Sequence, residues 1–278
     1  MFKILKKEIL NESISKMTIL APNVARNIQE GQFIILRVDE FGERIPLTVF
    51  DYDRINRTID IIYQKVGTTT YKLDQKKENE YILDVVGPLG KETELLGYKK
   101  AIVVSGGVGI AIAYPVAKKL KKLSASVDFI AGFRNKDLII LENDIKAVSD
   151  NFDVTTDDGS NGKKGFVTNV LEEKLSKNSD FDVVIAIGPL PMMKAVCNVT
   201  KKFNIKTIVS MTAIMIDGTG MCGGCRLNVG GKIKFACVDG PDFDGHEVNF
   251  DETMSRLQAF KNEEDKSLKN YCNLLKGV

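Results

Sequence analysis

The sequence predicts an antiparallel β barrel followed by a doubly wound parallel α/β sheet, with a small cysteine-rich loop unit near the C-terminus. Three observations carry this expectation. Residues 1–97 hold short runs rich in Ile, Val, Leu and Phe, separated by turn residues. From Tyr98 the rhythm changes to alternating apolar strands and helical stretches, the pattern of a parallel sheet with covering helices. Three of the five cysteines then fall between Asp217 and Cys237.

In the first unit the expected strands are Lys6–Leu20, Gln32–Asp39, Thr58–Val66 and Tyr81–Val86. Turn signals lie between them at Ala21-Pro22-Asn23, Glu30-Gly31, Phe41-Gly42, Asp51-Tyr52-Asp53 and Gly87-Pro88-Leu89-Gly90. The only helical turn expected there is near Thr70–Gln75. In the second unit strands are expected at Ala101–Ser105, Ser126–Ala131, Phe152–Thr155, Asp182–Gly188 and Thr207–Met211. The helices between them are a stretch ending at Lys122, then Lys136–Ser149, Gly165–Leu175 and Pro191–Phe203. A hairpin over Val229–Cys237 and polar helical segments over Asp251–Leu275 close the chain. The units expected are therefore 1–97, 98–211, 212–250 and 251–278.

Composition excludes several functions. A net charge of +2 gives no reason to expect nucleic acid or an anionic membrane as partner. The most apolar run, Ala101–Ala117, is interrupted by Ser105-Gly106-Gly107-Val108-Gly109, so no membrane span is expected. The N-terminal Met1-Phe2-Lys3-Ile4-Leu5-Lys6-Lys7 alternates like a strand and lacks a signal peptide's apolar core, and free cysteines beside a cluster-type loop fit a reducing cytoplasm. With a single histidine, imidazole acid–base chemistry has little to work with, and chemistry is expected from bound cofactors.

The cysteine-rich stretch reads D-x4-C-x2-C-x11-C, from Asp217 through Cys222 and Cys225 to Cys237. With cysteine in place of aspartate this is the spacing that holds a plant-type [2Fe–2S] cluster. Gly218, Gly220, Gly223 and Gly224 suit a tight loop whose amides face inorganic sulfur. A carboxylate is anionic like a thiolate, so Asp217 is the expected fourth ligand. A zinc knuckle with His246 as fourth ligand is the competing reading, and a plain turn aspartate the bland reading of Asp217. Cys197 and Cys272 are expected to be structural.

Two further stretches point to nucleotides. Gly106-Gly107-Val108-Gly109 follows the first strand of the second unit, where glycines let backbone approach a pyrophosphate at a helix N-terminus. Isoleucine at position 112 replaces the third glycine of the dinucleotide fingerprint, so a simple strand–helix turn remains the alternative. Asp157 and Asp158 end the third strand, and Gly188, Pro189 and Met192 follow the fourth. Ligands gather at such carboxyl ends. In the first unit, Arg44-Ile45-Pro46-Leu47-Thr48 sets a cation and a hydroxyl on one side of an extended segment. Ile61-Ile62-Tyr63, followed by Gly67-Thr68-Thr69-Thr70, is the second signal, and Gly67–Thr70 offers amides and hydroxyls to phosphate. Each has an ordinary reading as a solvated arginine or a turn threonine.

Together these residues resemble the ferredoxin reductase-like flavoproteins that carry a [2Fe–2S] loop at their C-terminus. The likeness rests on R-x-P-x-T at Arg44–Thr48, G-x-x-T at Gly67–Thr70, G-G-x-G at Gly106–Gly109 and G-P-x-x-M-M at Gly188–Met193. Two branches are similar: the electron-transfer subunit of dihydroorotate dehydrogenase, and the small subunit of the electron-bifurcating NADH-dependent reduced ferredoxin:NADP oxidoreductase. Aspartate at 217 favours the second. The resemblance implies FAD in the barrel, held by Arg44 and Thr68–Thr70 with Thr48 near flavin N5. It implies NAD(H) on the sheet unit, with NADP(H) the alternative raised by Arg134. It also implies a larger flavoprotein partner with [4Fe–4S] clusters, through which ferredoxin is reached. A non-enzymatic iron–sulfur redox sensor is the reading from a different class.

Overall fold

Period-two alternation of apolar residues folds the N-terminal third into one curled antiparallel sheet. Its strands are β1 (Phe2–Ile9), β2 (Ile14–Leu20), β3 (Phe33–Arg37), β4 (Ile45–Asp53), β5 (Thr58–Gln64), β6 (Tyr81–Ile82) and β7 (Asp84–Leu89), in the order β6-β1-β2-β5-β4-β3-β7. The inner face buries Ile19, Ile34, Leu36, Val49, Ile59, Ile61 and Tyr63 around one core. Two helices, α1 (Pro22–Asn27) and α2 (Thr68–Gln75), pack on this half-barrel. The computed structural model describes residues 1–178 and 180–276; Ser179 and residues 277–278, which fall in the second and last expected units, lie outside the described residues.

The second sheet is built from β8 (Lys100–Gly106), β9 (Ser126–Phe133), β10 (Asn151–Thr156), β11 (Val183–Ile187) and β12 (Lys206–Ser210), all parallel. Between them run α3 (Gly109–Lys122), α4 (Glu142–Ala147), α5 (Val167–Lys177) and α6 (Leu190–Lys202). Alternate residues of β8 face opposite layers: Ala101 and Val103 meet α3, Ile102 and Val104 meet α5 and α6. Each of the buried Val and Ile side chains among these contributes about 2 kcal/mol of transfer free energy. After β12 come the hairpin β13 (Arg226–Val229) and β14 (Lys232–Phe235), then α7 (Ala236–Asp239). The strand β15 (Asp242–Asp244) returns antiparallel to the edge of the second sheet beside β12. Helices α8 (Phe250–Leu257) and α9 (Lys261–Lys276) follow, and the Asn249 side chain caps α8 by accepting from the Glu252 amide at 3.1 Å.

Several expectations are corrected. Lys6–Leu20 is a hairpin rather than one strand, because the Asn11 side-chain Oδ1 accepts from the Ser13 and Ile14 amides and turns the chain. Tyr81–Val86 splits at Leu83, carrying the chain from one edge of the half-barrel (β6) to the other (β7). The expected turn at Asp51–Asp53 is still strand, and β7 runs on to Leu89 through the expected Gly87-Pro88 turn. Lys136–Ser149 is not one helix. A 3-10 turn at Lys136–Leu138 gives way to an apolar run, Leu138–Leu141, that packs into the core, and Leu141 at φ +58° sets the start of α4. Tertiary burial overrides helical period there. The expected turn at Ala21-Pro22-Asn23 opens a short helix, Pro22–Asn27, with proline in its first turn.

The two sheets share their cores. Ile14, Phe50 and Ile62 of the half-barrel lie in the core beneath α3, and Phe33 and Ile35 lie in the core that includes Cys225 and Cys237. Among the described residues no helix is long and apolar enough to cross a membrane.

Candidate functional site

In the order β10-β9-β8-β11-β12 the chain reverses its direction of winding between β8 and β11, which opens a crevice at the carboxyl ends of those strands. Gly106 and Gly107 stand on one side of it, Gly188 and Pro189 on the other. The backbones approach so closely that a Cβ on Gly109 would lie 2.5 Å from the Ile187 carbonyl oxygen, and one on Gly188 would lie 3.0 Å from the Gly106 nitrogen. The Met192 sulfur would be 2.6 Å from a Cβ on Gly106. The structure thus brings Gly106, Gly109, Gly188, Pro189 and Met192 together, with Val108 at the start of α3. That helix has no side-chain cap and no acid in its first turn, which suits an anion at its N-terminus. Three buried side-chain atoms without a hydrogen-bond partner, Ser105 Oγ, Asn135 Oδ1 and Thr155 Oγ1, lie at or just past the carboxyl ends of β8, β9 and β10.

Asp157 and Asp158 stand further out, at the end of β10. Their amides donate to the carbonyls of Phe133 and Arg134. The Asp158 carboxylate accepts from the Ser160 hydroxyl at 2.6 Å and amide at 2.9 Å, and these bonds hold it below the usual carboxylate range. Asp158 is therefore engaged in its own turn, while Asp157 and Arg134 are exposed.

On the half-barrel, strand alternation sorts the expected residues onto two faces. Thr48 pairs with Phe33, and Pro46 with Ile35. Phe33 and Ile35 face the second sheet and the cysteine loop, so Pro46 and Thr48 share that outer face, as does Ile62. Leu47 and Tyr63 point the other way, into the half-barrel core. Tyr63 is 1% exposed, its hydroxyl donates to Asp74 at 3.2 Å, and burial raises its pKa well above the ordinary value. Its side chain is thus on the opposite face from Pro46, Thr48 and Ile62, and only its backbone is left for a cofactor on that outer face. Arg44 is exposed just before β4.

The first turn of α2 holds Thr68, Thr69 and Thr70. The Thr70 hydroxyl accepts from the Val66 and Gly67 amides, capping the helix. Thr69 donates to Glu43 at 3.2 Å, and Thr68 meets Ser267 of α9 at 3.0 Å. Glu43, beside Arg44, was missed by sequence reading; its only signal was charge next to the arginine. Asp74 on α2 ties this helix to β1, β2 and β5, accepting from Ser15 at 2.7 Å and Tyr63, and pairing with Lys7 at 3.2 Å and Lys65 at 3.4 Å.

The cysteine loop presents two pairs. Asp217 accepts from the Thr219 and Cys222 amides, each at 2.8 Å, and the Thr219 bond first of all holds its carboxyl below the usual range. The Cys225 and Cys237 sulfurs are 3.2 Å apart. Burial, then the Cys225 thiol, push the Cys237 thiol up to about 12, so a metal binding here must displace protons. Backbone amides point at sulfur, from Gly224 to Cys222 at 3.4 Å and from Cys237 to Cys225 at 3.5 Å. This donor set, one carboxylate and three thiols with amides aimed at sulfur, fits an iron–sulfur cluster. Gly218, Gly220 and Gly223 take positive φ; Gly224 does not, and is needed for space, since a Cβ there would lie 3.2 Å from the Ile214 carbonyl oxygen. The His246 ring pairs with Thr200 at 3.0 Å, on the far side of α6, and Cys197 is buried, its thiol pushed up to about 12 by that burial.

Comparison with known proteins assigns these regions. Residues 212–249 match the model of the iron–sulfur cluster binding domain of dihydroorotate dehydrogenase B, and residues 103–198 match an oxidoreductase NAD-binding domain. A Thermotoga maritima homolog of the dihydroorotate dehydrogenase B (NAD(+)) electron transfer subunit is 43% identical over 97% of this chain and 95% of its own. The chain belongs to this family. The electron transfer subunit from Caldanaerobacter subterraneus is 37% identical over 79% of this chain and 87% of its own. A chain from the structure of NADH-dependent reduced ferredoxin–NADP oxidoreductase, solved for insight into flavin-based electron bifurcation, superposes with a TM-score of 0.92. It is 43% identical, and 97% of both chains is covered. The protein is an oxidoreductase with a ferredoxin reductase-like fold, and it takes FAD, an iron–sulfur cluster and NAD(H). The matched models cover the cysteine loop for the cluster and the second sheet for NAD(H).

Proposed function

We propose that the chain is the small subunit of a ferredoxin-linked NADH/NADP transhydrogenase. The observation that carries this reading is the likeness to the bifurcating oxidoreductase chain, which runs nearly end to end. Aspartate in place of the first cluster thiolate points the same way. Bound flavin exchanges hydride with nicotinamide and single electrons with an iron–sulfur centre. The chain's own residues bind and orient. Arg44 and the start of α2 at Gly67–Thr69 hold the FAD phosphates, and Thr48 offers its hydroxyl towards flavin N5. Gly106–Gly109 and the N-terminus of α3 hold the dinucleotide pyrophosphate, Gly188, Pro189 and Met192 border the nicotinamide, and Asp157 faces the ribose of NAD(H). Asp217, Cys222, Cys225 and Cys237 would hold a [2Fe–2S] cluster, which would supply one-electron transfer. The units are 1–97 for FAD, 98–211 for NAD(H), 212–250 for the cluster and 251–278 as a helical closure. The partner is a larger flavoprotein with [4Fe–4S] clusters, through which ferredoxin is reached.

The seating of the loop supports this relay. A Cβ on Gly218 would lie 2.6 Å from Leu89 and 2.9 Å from Ile35, the register partner of Pro46. The cluster loop thus lies against the strand next to the flavin strand. The test is anaerobic purification with visible spectroscopy and assays of iron, sulfide and zinc, followed by NADH and NADPH titration. Flavin bands over an iron–sulfur background, with about two irons and two sulfides per chain and reduction by NADH, are expected. Zinc without sulfide removes the cluster, and preference for NADPH overturns the nicotinamide assignment.

The dihydroorotate branch is the second reading, favoured by the family model that matches residues 212–249. Affinity purification from the native organism separates the two. A [4Fe–4S] flavoprotein partner supports the transhydrogenase, and a dihydroorotate-oxidising partner replaces it.

A further inference from the structure

Strand β4 and helix α3 each begin at one cofactor site and meet a few residues later. Thr48 lies two residues before Phe50, about 7 Å along the strand. Gly109 lies five residues before Tyr114, about 7.5 Å along the helix. The Phe50 and Tyr114 rings stack with centroids 4.6 Å apart and planes 23° from parallel. Phe50 is 3% exposed and belongs to the core beneath α3 rather than to the half-barrel core. Strand alternation sets this aim, with Phe50 on the same outer face as Thr48, and the register of β4 against β5 jumps just there, between Val49 and Asp51.

Charged contacts continue the same seam along α3. Lys118 pairs with Asp51 at 2.6 Å, and Lys119 with Glu30 at 3.2 Å. The Tyr52 hydroxyl donates to Glu30 at 3.3 Å, while the Lys16 and Lys118 ammonium groups stand 5.0 Å and 5.5 Å from the Phe50 and Tyr114 ring centroids. The contact therefore has an apolar stack with ion pairs around it. Stacked aromatic pairs stabilise beyond their buried area, and such packing tolerates little sliding.

We infer that the Phe50–Tyr114 stack, with the Lys118–Asp51 and Lys119–Glu30 pairs, is a positioning latch that fixes the dinucleotide-binding helix against the flavin strand and so sets the distance for hydride transfer. This rests on the proposed exchange between NAD(H) and FAD. Neither ring touches the reacting atoms; both act through the elements that hold them. Hydride transfer falls steeply with small displacements, since a misplacement of about 1 Å costs up to about 100-fold in rate. The latch thus acts on rate and not on affinity: the glycine turn that binds the dinucleotide and the residues that hold FAD are left unaltered when it is loosened.

The experiment is anaerobic stopped-flow reduction of the full-length, FAD- and cluster-loaded protein by NADH and by NADH deuterated at nicotinamide C4. For Tyr114→Ala the limiting rate of flavin bleaching at saturating NADH is expected to fall about tenfold or more, with a larger isotope effect. The Kd for NADH and the FAD content stay as in the wild type. Tyr114→Phe, which keeps the stack, is expected to restore the rate. Should Tyr114→Ala fail to hold FAD, the surface variant Lys118→Gln reads the same seam, with a smaller fall of about threefold. A limiting rate within twofold of wild type in the folded variants, or a loss confined to Kd, overturns the latch. A wild-type protein whose flavin is not bleached by NADH overturns the parent reading and the latch with it.

Discussion

Gly218 of the cysteine loop lies flush against Ile35 of β3, so that a single added methyl would stand 2.9 Å from the Ile35 side chain and 2.6 Å from Leu89. The residue also holds φ +76°, a conformation that costs a non-glycine residue about 1–2 kcal/mol. Gly218→Ala is therefore expected to lift the loop off the half-barrel. Reduction of flavin by NADH should keep its wild-type rate, while reduction of the cluster, followed by its electron paramagnetic resonance signal after rapid freezing, should slow about tenfold. Unchanged cluster reduction would show that this contact does not set the electron-transfer distance.

Asp217 binds two backbone amides of its own loop, so the loop retains a fold-determining contact that a ligand role alone does not require. Asp217→Ala is expected to lose most of the iron and sulfide. Asp217→Cys should retain about two irons per chain and give a shifted paramagnetic resonance spectrum, because the ligand set changes. An identical spectrum in Asp217→Cys would remove the aspartate from the coordination sphere.

At the other site, Gly109 has no room for a side chain beside the Ile187 carbonyl. Gly109→Ala must push α3 away from β11 and widen the crevice. The expected result is a weakening of NADH binding by about tenfold with FAD content intact, measured by titration of the oxidised protein with a non-reducing nicotinamide analogue. Binding within twofold of wild type would contradict the close approach.

Asp74 gives a prediction with a definite sign in pH. Burial alone would raise its carboxyl, but the Ser15 hydroxyl and the Lys7 and Lys65 ammonium groups outweigh burial and hold it below the ordinary value. A depressed folded-state pKa contributes stability above the unfolded value, near pH 4, and that stability is lost as pH falls through the folded value. Asp74→Asn should cost about 1–2 kcal/mol at neutral pH, and the gap to wild type should close in acid. Denaturant melts at pH 7 and pH 3 check both parts. Because Asp74 anchors α2, weaker FAD retention is expected to accompany the loss at neutral pH.

Much of this site was legible because its chemistry is local. The glycines at 106–109 and 188 and the spacing from Asp217 to Cys237 express backbone and ligand requirements that neighbouring residues satisfy. What sequence could not give were contacts fixed by tertiary packing. Ile62 and Tyr63 were read as a pair, yet adjacent strand residues face opposite sides, and only Ile62 reaches the outer face. The run Leu138–Leu141 has helical neighbours on both sides but is extended at Ile139 because the core beneath α3 takes it. Phe50 shares the outer face of β4 with Thr48, but that Tyr114 of α3 covers it is decided by tertiary packing and leaves no mark in composition. The helix over Lys136–Ser149 failed for the same reason: its period was real but its burial was decided elsewhere.

The return of β15 to the edge of the second sheet has an evolutionary corollary. Ser210 pairs with Asp242 across β12 and β15, and the Met211 amide donates to the Pro241 carbonyl at 2.9 Å. The chain therefore departs for the cysteine loop and comes back at a single point. Topologically, the metal-binding segment is a cassette spliced into the tip of a hairpin. One insertion there is enough to turn a two-centre reductase into a three-centre wire, with no strand rethreaded and the host sheet's pairing preserved.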